Sequence, residues 1–107
     1  MNKGLARLGM AMRAGKLATG DDTVLRAVRQ GNARLVIVSA DASDNTKKKF
    51  RDKCEFYGVP IAEAFSRFEL GQAVGKGERV VVAVLDEGFA KLIGSQLTLQ
   101  SEVEYID

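Results

Sequence analysis

Gly20-Asp21-Asp22-Thr23-Val24-Leu25-Arg26-Ala27-Val28-Arg29-Gln30-Gly31, followed at once by Asn32-Ala33-Arg34 and Leu35-Val36-Ile37-Val38-Ser39-Ala40, sets a helix start, a basic helix face and an apolar strand in one short unit. Val24, Leu25 and Val28 recur at helical spacing, while Asp22, Arg26, Arg29 and Gln30 fall on the other side. One face is therefore core and the other free. Gly20 supplies the unusual backbone angles of a chain entering a helix, Thr19 and Asp22 have capping-box spacing, and Gly31 closes the far end. At the amino end, unpaired backbone N–H groups and the positive pole of the helix dipole meet Asp22 and Thr23, with Arg26 one turn on. Such an end holds a phosphate or a base edge, although on spacing alone the simpler reading is an ordinary capped amphipathic helix.

Outward from this unit the chain alternates helix and strand with no long polar linker. Residues 3 to 14 form a short helix with Leu5, Leu8, Gly9 and Met12 towards the core and Lys3, Arg7 and Arg13 outside. Lys16 to Thr19 is a brief strand, and 34 to 40 a longer one. Asp41-Ala42-Ser43 offers a cap for a helix from Asn45 to Tyr57, which Gly58 ends with Pro60 just beyond. Ile61 to Ala64 is a short strand, and the capping-box pair Ser66 and Glu69 opens a helix that stops near Gly71 or Gly75. Val80 to Leu85 is apolar throughout and so reads as a strand buried on both faces. Asp86 caps a last helix through about Leu97, and the acidic stretch from Gln100 to Asp107 reads as a mobile tail. This order predicts an α/β fold in three layers, with helices on both faces of a small sheet and strands 34–40 and 80–85 at its centre. Helix amino ends should gather at one edge of that sheet, where such domains bind ligands.

With 107 residues, 46% hydrophobic and 28% charged, the chain is expected to make one domain over 1–107. The net charge of +2 is unevenly spread: residues 1–53 carry twelve Lys/Arg against five Asp/Glu, and residues 54–107 four against nine. A polyanion would therefore meet the first half. No apolar run is long enough for a bilayer and the amino end lacks the apolar core of a signal peptide, so no membrane contact and a cytoplasmic location are expected. A monomer is expected as well. Cys54, the single cysteine, rules out an internal disulfide and reads as a small buried helix residue. There is no histidine, which removes the commonest metal ligand and the usual proton carrier near neutral pH. Catalysis, cofactor and metal are accordingly not expected.

The ordered set of Gly20 to Val38, the Asp41-Ala42-Ser43 turn, Cys54 to Pro60 and Leu70-Gly71-Gln72-Ala73-Val74-Gly75 resembles the L-seven-Ae / L-thirty-e ribosomal protein family, over nearly the whole chain to about Leu97. The resemblance implies an α-β-α sandwich with a small mixed central sheet that binds kink-turn RNA, a bent duplex in which a bulge precedes sheared guanine-adenine pairs. It places the signature glycine at Gly20, the polar pair at Asp22 and Thr23 and the basic position at Arg26, with Asp21 and Arg29 beside them. The family most often carries Asn-Glu or Lys-Gln at the pair, so Asp-Thr is a departure. A second contact implied by the resemblance is the loop before the final strand, Val74-Gly75-Lys76-Gly77-Glu78-Arg79, which would meet the flipped-out bulge nucleotide. There Lys76 and Arg79 suggest phosphate contact. Both segments should lie at one edge near Asp41 and Ser43. The partners so implied are structured RNA, ribosomal RNA among the candidates, and translation proteins.

Other readings compete. Lys47-Lys48-Lys49 with Arg51 and Lys53 fits a solvated helix face as well as a secondary phosphate contact. Gly71 to Gly77 fails as a nucleotide phosphate loop, because Lys76 lacks a following Ser or Thr and the segment precedes a strand rather than a helix. Phe50, Phe56, Phe65, Phe68 and Phe89 read as core rather than as a stacking platform, since none alternates with basic residues on a strand. A protein-interaction adaptor on the same fold is the alternative function, with the acidic second half as its docking surface.

Overall fold

Buried positions along the two most apolar runs decide the architecture. In the computed structural model, which describes residues 2–100 with side-chain detail to residue 97, β2 (Leu35–Val38) and β4 (Val81–Val84) are buried at every position. They form the centre of a four-stranded sheet ordered β1-β4-β2-β3, with β1 (Leu17–Thr19) and β3 (Ile61–Glu63) at the edges. β4 is antiparallel to both β1 and β2, whereas β2 and β3 are parallel. The sheet is mixed, as expected. The strands are shorter than their apolar runs, but Arg34 N donates to Val84 O at 2.7 Å and Ser39 N to Val80 O at 2.8 Å, so backbone bonding continues beyond the central ladder.

Alternation of side chains along β2 feeds two cores. Val36 and Val38 join Val24 and Val28 of α2 (Asp21–Arg29) and Phe50 and Cys54 of α3 (Asp44–Tyr57). Leu35 and Ile37 turn the other way, towards Leu5 and Leu8 of α1 (Lys3–Arg13), Leu70 of α4 (Arg67–Ala73) and Ile93 and Leu97 of α5 (Glu87–Gln100). The result is the three-layer α-β-α arrangement. Each fully buried Leu, Ile, Val or Phe contributes about 1.5–3 kcal/mol over an exposed one, and most of β2, β4 and the inner helix faces is at that limit. Met12, expected in the core, is only half-buried, because Leu8 and Ala11 fill the α1 seam. The acidic tail lies outside the described residues beyond Gln100.

Most helix starts follow their expected chemistry. Ser43 Oγ accepts from Thr46 N at 3.2 Å, Asp86 Oδ2 accepts from Phe89 N at 3.0 Å, and Ser66 and Glu69 exchange both bonds of a capping box at 3.0 and 2.9 Å. Just before that box Phe65 has φ 65°, a left-handed conformation costly for a bulky residue. It turns the chain so that the Phe65 carbonyl accepts from Ala40 N at 2.8 Å, tying the start of α4 to the end of β2.

Two aromatic expectations are corrected. Phe56 is 80% and Phe68 59% exposed. Each stands two residues from a buried position, Cys54 and Leu70, and two residues turn the helix by about 200°, to the opposite face. Phe50 is fully buried, and Phe65 and Phe89 pack against the second core.

At Gly71 α4 touches the loop that precedes β4. A Cβ there would lie 2.7 Å from the Gly77 carbonyl carbon and 3.0 Å from Glu78 Cα, both backbone atoms that cannot swing aside. Gly71→Ala should therefore displace residues 75–79 and lower stability by about 1–3 kcal/mol; a urea midpoint and melting temperature equal to those of the parent would show that the loop gives way freely.

Candidate nucleic-acid interface

Because β1, β2 and β3 run in one direction, α2, α3 and α4, which follow them, all begin at the same edge of the sheet. α5 does not join them: it follows the reversed strand β4 and starts at the opposite edge, correcting the expectation that all helix amino ends meet. That reversal brings the loop before β4 to the edge where the other three helices start.

At α2 the expected Thr19–Asp22 capping box is absent. Thr19 is held in β1 opposite Val82, and the N-cap is Gly20, at φ 92° and ψ 153°, with no side-chain cap. These angles suit glycine alone among common residues. Gly20 N donates to Val81 O at 3.2 Å and Gly20 O accepts from Val24 N at 2.9 Å, so the helix entrance is fixed by backbone bonds. The N–H groups of Asp21, Asp22 and Thr23 are left for an outside acceptor. Asp22, Thr23, Arg26 and Arg29 are exposed, and no ion pair engages Asp22, Arg26 or Arg29 among the described residues. Asp21 lies 3.8 Å from Lys49 Nζ.

Beside this entrance is an open cleft of about 390 Å³, lined by Thr19, Gly20 and Asp21 from one side, Glu78, Arg79 and Val80 from the other, and Arg67. A second shallow depression, lined by Asp22, Leu25, Arg26, Arg29 and Gln30, runs along the outer face of α2. Arg67 organises the edge. Its backbone N–H donates to Asp41 Oδ1 at 3.0 Å, its Nη2 donates to Asp41 O at 2.6 Å, and its carbonyl accepts from Arg79 N at 3.0 Å. The Arg79 guanidinium turns back on its own loop, donating to Glu78 O at 2.9 Å.

The structure thus brings Gly20, Asp21, Asp41 and Arg79 to one edge, with Asp22, Thr23, Arg26 and Arg29 continuing along α2. Gly75 and Lys76 are exposed at the far turn of the loop, where Lys76 N donates to Gly71 O at 2.9 Å. Val74 differs: it is 5% exposed and donates to Leu70 O, so its side chain belongs to the core and offers a ligand little surface. Ser43 is spent on capping α3. Sequence reasoning missed Arg67. Only its place beside the capping Ser66 could have marked it, and no local spacing shows that Asp41, twenty-six residues earlier, is its partner.

The description of the ribosomal protein L7Ae/L30e/S12e/Gadd45 family matches residues 2–93. The chain belongs to that family. It is 49% identical over 90 residues to the RNA-binding protein YlxQ of Bacillus subtilis, covering 84% of this chain and 90% of that protein. It is 30% identical over 99 residues to the large ribosomal subunit protein eL30 of Yarrowia lipolytica, with 87% of each covered. Among solved structures, a Bacillus halodurans protein superposes with a TM-score of 0.88 at 44% identity, covering 91% of this chain and 98% of that one. The 15.5 kD RNA binding protein of Giardia lamblia superposes with a TM-score of 0.74 at 26% identity, covering 89% and 85%. In this L7Ae/L30e-family chain no helix among the described residues is long and apolar enough to cross a membrane, and no group of three or more His, Cys, Asp or Glu is placed to hold a metal.

The Asp41 carboxyl is held below its ordinary value of 3.8. The largest influence is the nearby Ser39 hydroxyl, which is buried but makes no well-formed hydrogen bond; partial desolvation opposes it, and the Arg67 N–H and guanidinium add to the lowering. A depressed carboxyl favours the folded arrangement above pH 3.8, and that contribution disappears as pH falls through the lowered value. Following the Arg67 amide by NMR from pH 6 downward should give a titration midpoint below 3.8, and Asp41→Asn should abolish it; a midpoint at or above 3.8 would deny the Asp41–Arg67 clamp.

Proposed function

We propose that this protein is a non-enzymatic RNA-binding protein that recognises a bent, kink-turn-type motif in ribosomal or other structured RNA. The observation that carries the reading is the meeting of Gly20 and Asp21 with Glu78 and Arg79 across one cleft, where two segments far apart in sequence that the family resemblance implies as RNA contacts come together. The names of similar proteins, RNA-binding YlxQ and ribosomal eL30, support the same class of ligand.

The chemistry of the edge narrows what touches it. Asp21 and Asp22 put two carboxylates in the first turn of α2, which repel phosphate and accept hydrogen bonds from base N–H groups. Asp22 is then the acceptor for guanine N–H groups of a sheared pair. Arg26, one turn on and free of any ion pair among the described residues, donates to guanine O6 and N7. Thr23, shorter than the residue common in the family, makes at most a glancing contact. Phosphates fall to the cations outside this acidic turn: Arg29, Lys76 and Arg79, whose guanidinium keeps donors to spare beyond its bond to Glu78 O. A monomer in the cytoplasm is the setting this reading assumes.

Binding to a kink-turn RNA, measured by calorimetry beside a control whose sheared pairs are replaced by Watson–Crick pairs, tests the proposal. Arg26→Ala should weaken kink-turn binding by about 1–3 kcal/mol while leaving the control unchanged. Lys48, already paired with Asp52 at 2.8 Å, should on Lys48→Ala change only the salt slope, by less than about one unit. Equal effects of the two substitutions, or equal affinity for the two RNAs, would discard shape-specific recognition and leave a protein-interaction adaptor as the better reading.

A further inference from the structure

The carboxyl end of α3 carries a surface that the cleft above does not use. Phe56 is 80% and Tyr57 42% exposed. Their rings meet edge to face with centroids 4.9 Å apart and an interplanar angle of 79°. They share an open pocket of about 400 Å³ with Lys49, Asp52 and Lys53. An aromatic ring left this open gives up burial worth a large hydrophobic contribution, and a core role does not account for it.

Placement says what suits it. Lys49, Lys53 and Phe56 recur at i, i+4 and i+7, so they form one stripe along the helix. Lys49 heads that stripe with its Nζ 3.8 Å from Asp21 Oδ2, and Asp21 also lines the cleft at the start of α2. The stripe therefore leads away from the cleft for about 10 Å along α3. Asp52, the acid in the pocket lining, is engaged by Lys48 at 2.8 Å, whereas no carboxylate pairs with Lys53 among the described residues. An aromatic face flanked by amines suits a ligand with flat rings and negative charge.

We propose that the Lys49–Lys53–Phe56–Tyr57 face of α3 is a second RNA-binding site, taking an unpaired nucleotide whose base lies on the Phe56 ring and whose phosphates meet the two lysines. It rests on the RNA-binding reading above and deepens it: RNA leaving the α2 cleft in single-stranded form continues along α3. Stacking makes the site tolerant of base identity, because every base offers a π-face.

The test follows amide shifts of the full chain by NMR with three probes: a minimal kink-turn duplex, a short single-stranded oligoadenylate, and an oligoglutamate peptide. The oligoadenylate should move Lys49, Lys53, Phe56 and Tyr57 and leave the α2 amides of 22–26 in place, and a kink-turn carrying a single-stranded extension should bind more tightly than the minimal duplex. Phe56→Ala should erase that gain, about 5- to 150-fold for one stacked base, without changing affinity for the minimal duplex. Phe56 is too exposed for its removal to threaten folding, and Lys53→Gln, which keeps the rings, should cut the gain in part and flatten its salt dependence. If the minimal duplex moves 20–26 but neither extension nor oligoadenylate affects 49–57, the second site is overturned while the proposed function stands. Shifts at the lysines alone, unchanged by Phe56→Ala, would overturn it as diffuse charge attraction. Oligoglutamate acting there where RNA does not would overturn it in favour of an acidic protein partner, and silence of both regions towards every RNA would remove both readings.

Discussion

The reversal of β4 between β1 and β2 is the constraint on which the candidate interface depends. Were β4 parallel to its neighbours, the segment before it would emerge at the far edge of the sheet, and α5 would take its place beside the starts of α2, α3 and α4. As it stands, Val81 O accepts from Gly20 N and Val80 O accepts from Ser39 N. The chain entering β4 is thus hydrogen-bonded to the chains leaving β1 and β2. Three segments separated by dozens of residues are held side by side by backbone bonds that no single side chain can undo. Both faces of this junction are sealed by fully buried Val24, Val38, Val81 and Val82, so the edge is a rigid support. The Asp41–Arg67 clamp then extends the order outward to α4 and the 74–79 loop.

Folding also rearranges the charge that the linear sequence displays. The basic run of α3 belongs to the strongly positive first half, yet Glu63 from the acidic half takes Lys47 at 3.6 Å and Arg51 at 2.8 Å, Asp52 takes Lys48, and Asp21 draws Lys49. The Glu63 carboxyl is held below its ordinary value of 4.5 by these partners, Arg51 first, against a smaller opposing desolvation. Each such exposed pair contributes about 0–1 kcal/mol to stability, so their effect is on where positive charge remains. Arg26 and Arg29 on α2 and Lys53 near the end of α3 are among the cations outside any ion pair of the described residues, so the run 47–53 does not act as the continuous basic face that its sequence suggests.

Much of the fold is legible in residues because local chemistry and burial agree. The all-apolar runs 35–38 and 81–84 are central for the reason the pattern implies, and Ser43, Ser66 with Glu69, and Asp86 cap helices where their spacing places them. Thr19 misleads because its capping-box spacing is local while its position in β1 is set by pairing with Val82, a long-range fact. Phe56 and Phe68 mislead because the lack of alternation with basic residues argues only against a stacking strand, whereas the phase of the helix relative to Cys54 and Leu70 puts them outside. Val74 and Arg67 exchange roles for a related reason: the loop motif starts inside the core, and a residue of no local note holds the edge together. A pairing across twenty-six residues leaves no trace in spacing.

The N-cap of α2 is a glycine, with no side-chain hydrogen bond to the helix it opens. A Ser, Thr, Asp or Asn at the N-cap satisfies a backbone donor of its own helix, and replacing it with glycine costs only a few tenths of a kcal/mol. At Gly20 that small loss leaves three N–H groups open, at φ 92° where a side chain would in any case be strained. Asp21 and Asp22 in the first turn offset part of the remaining dipole, about 0.3–1 kcal/mol each where exposed, so the helix is stable without a ligand. The same carboxylates turn away free phosphate. An end that offers N–H donors and carboxylate acceptors together is matched by a group that presents both in one plane, as a base edge does and a phosphate does not. On the proposed function, selectivity for base over backbone at this edge would follow from which residues fill the first turn, and the Asp22–Thr23 pair, a departure from the residues that the family resemblance leads one to expect, would keep that balance while shortening the reach of one of its two arms.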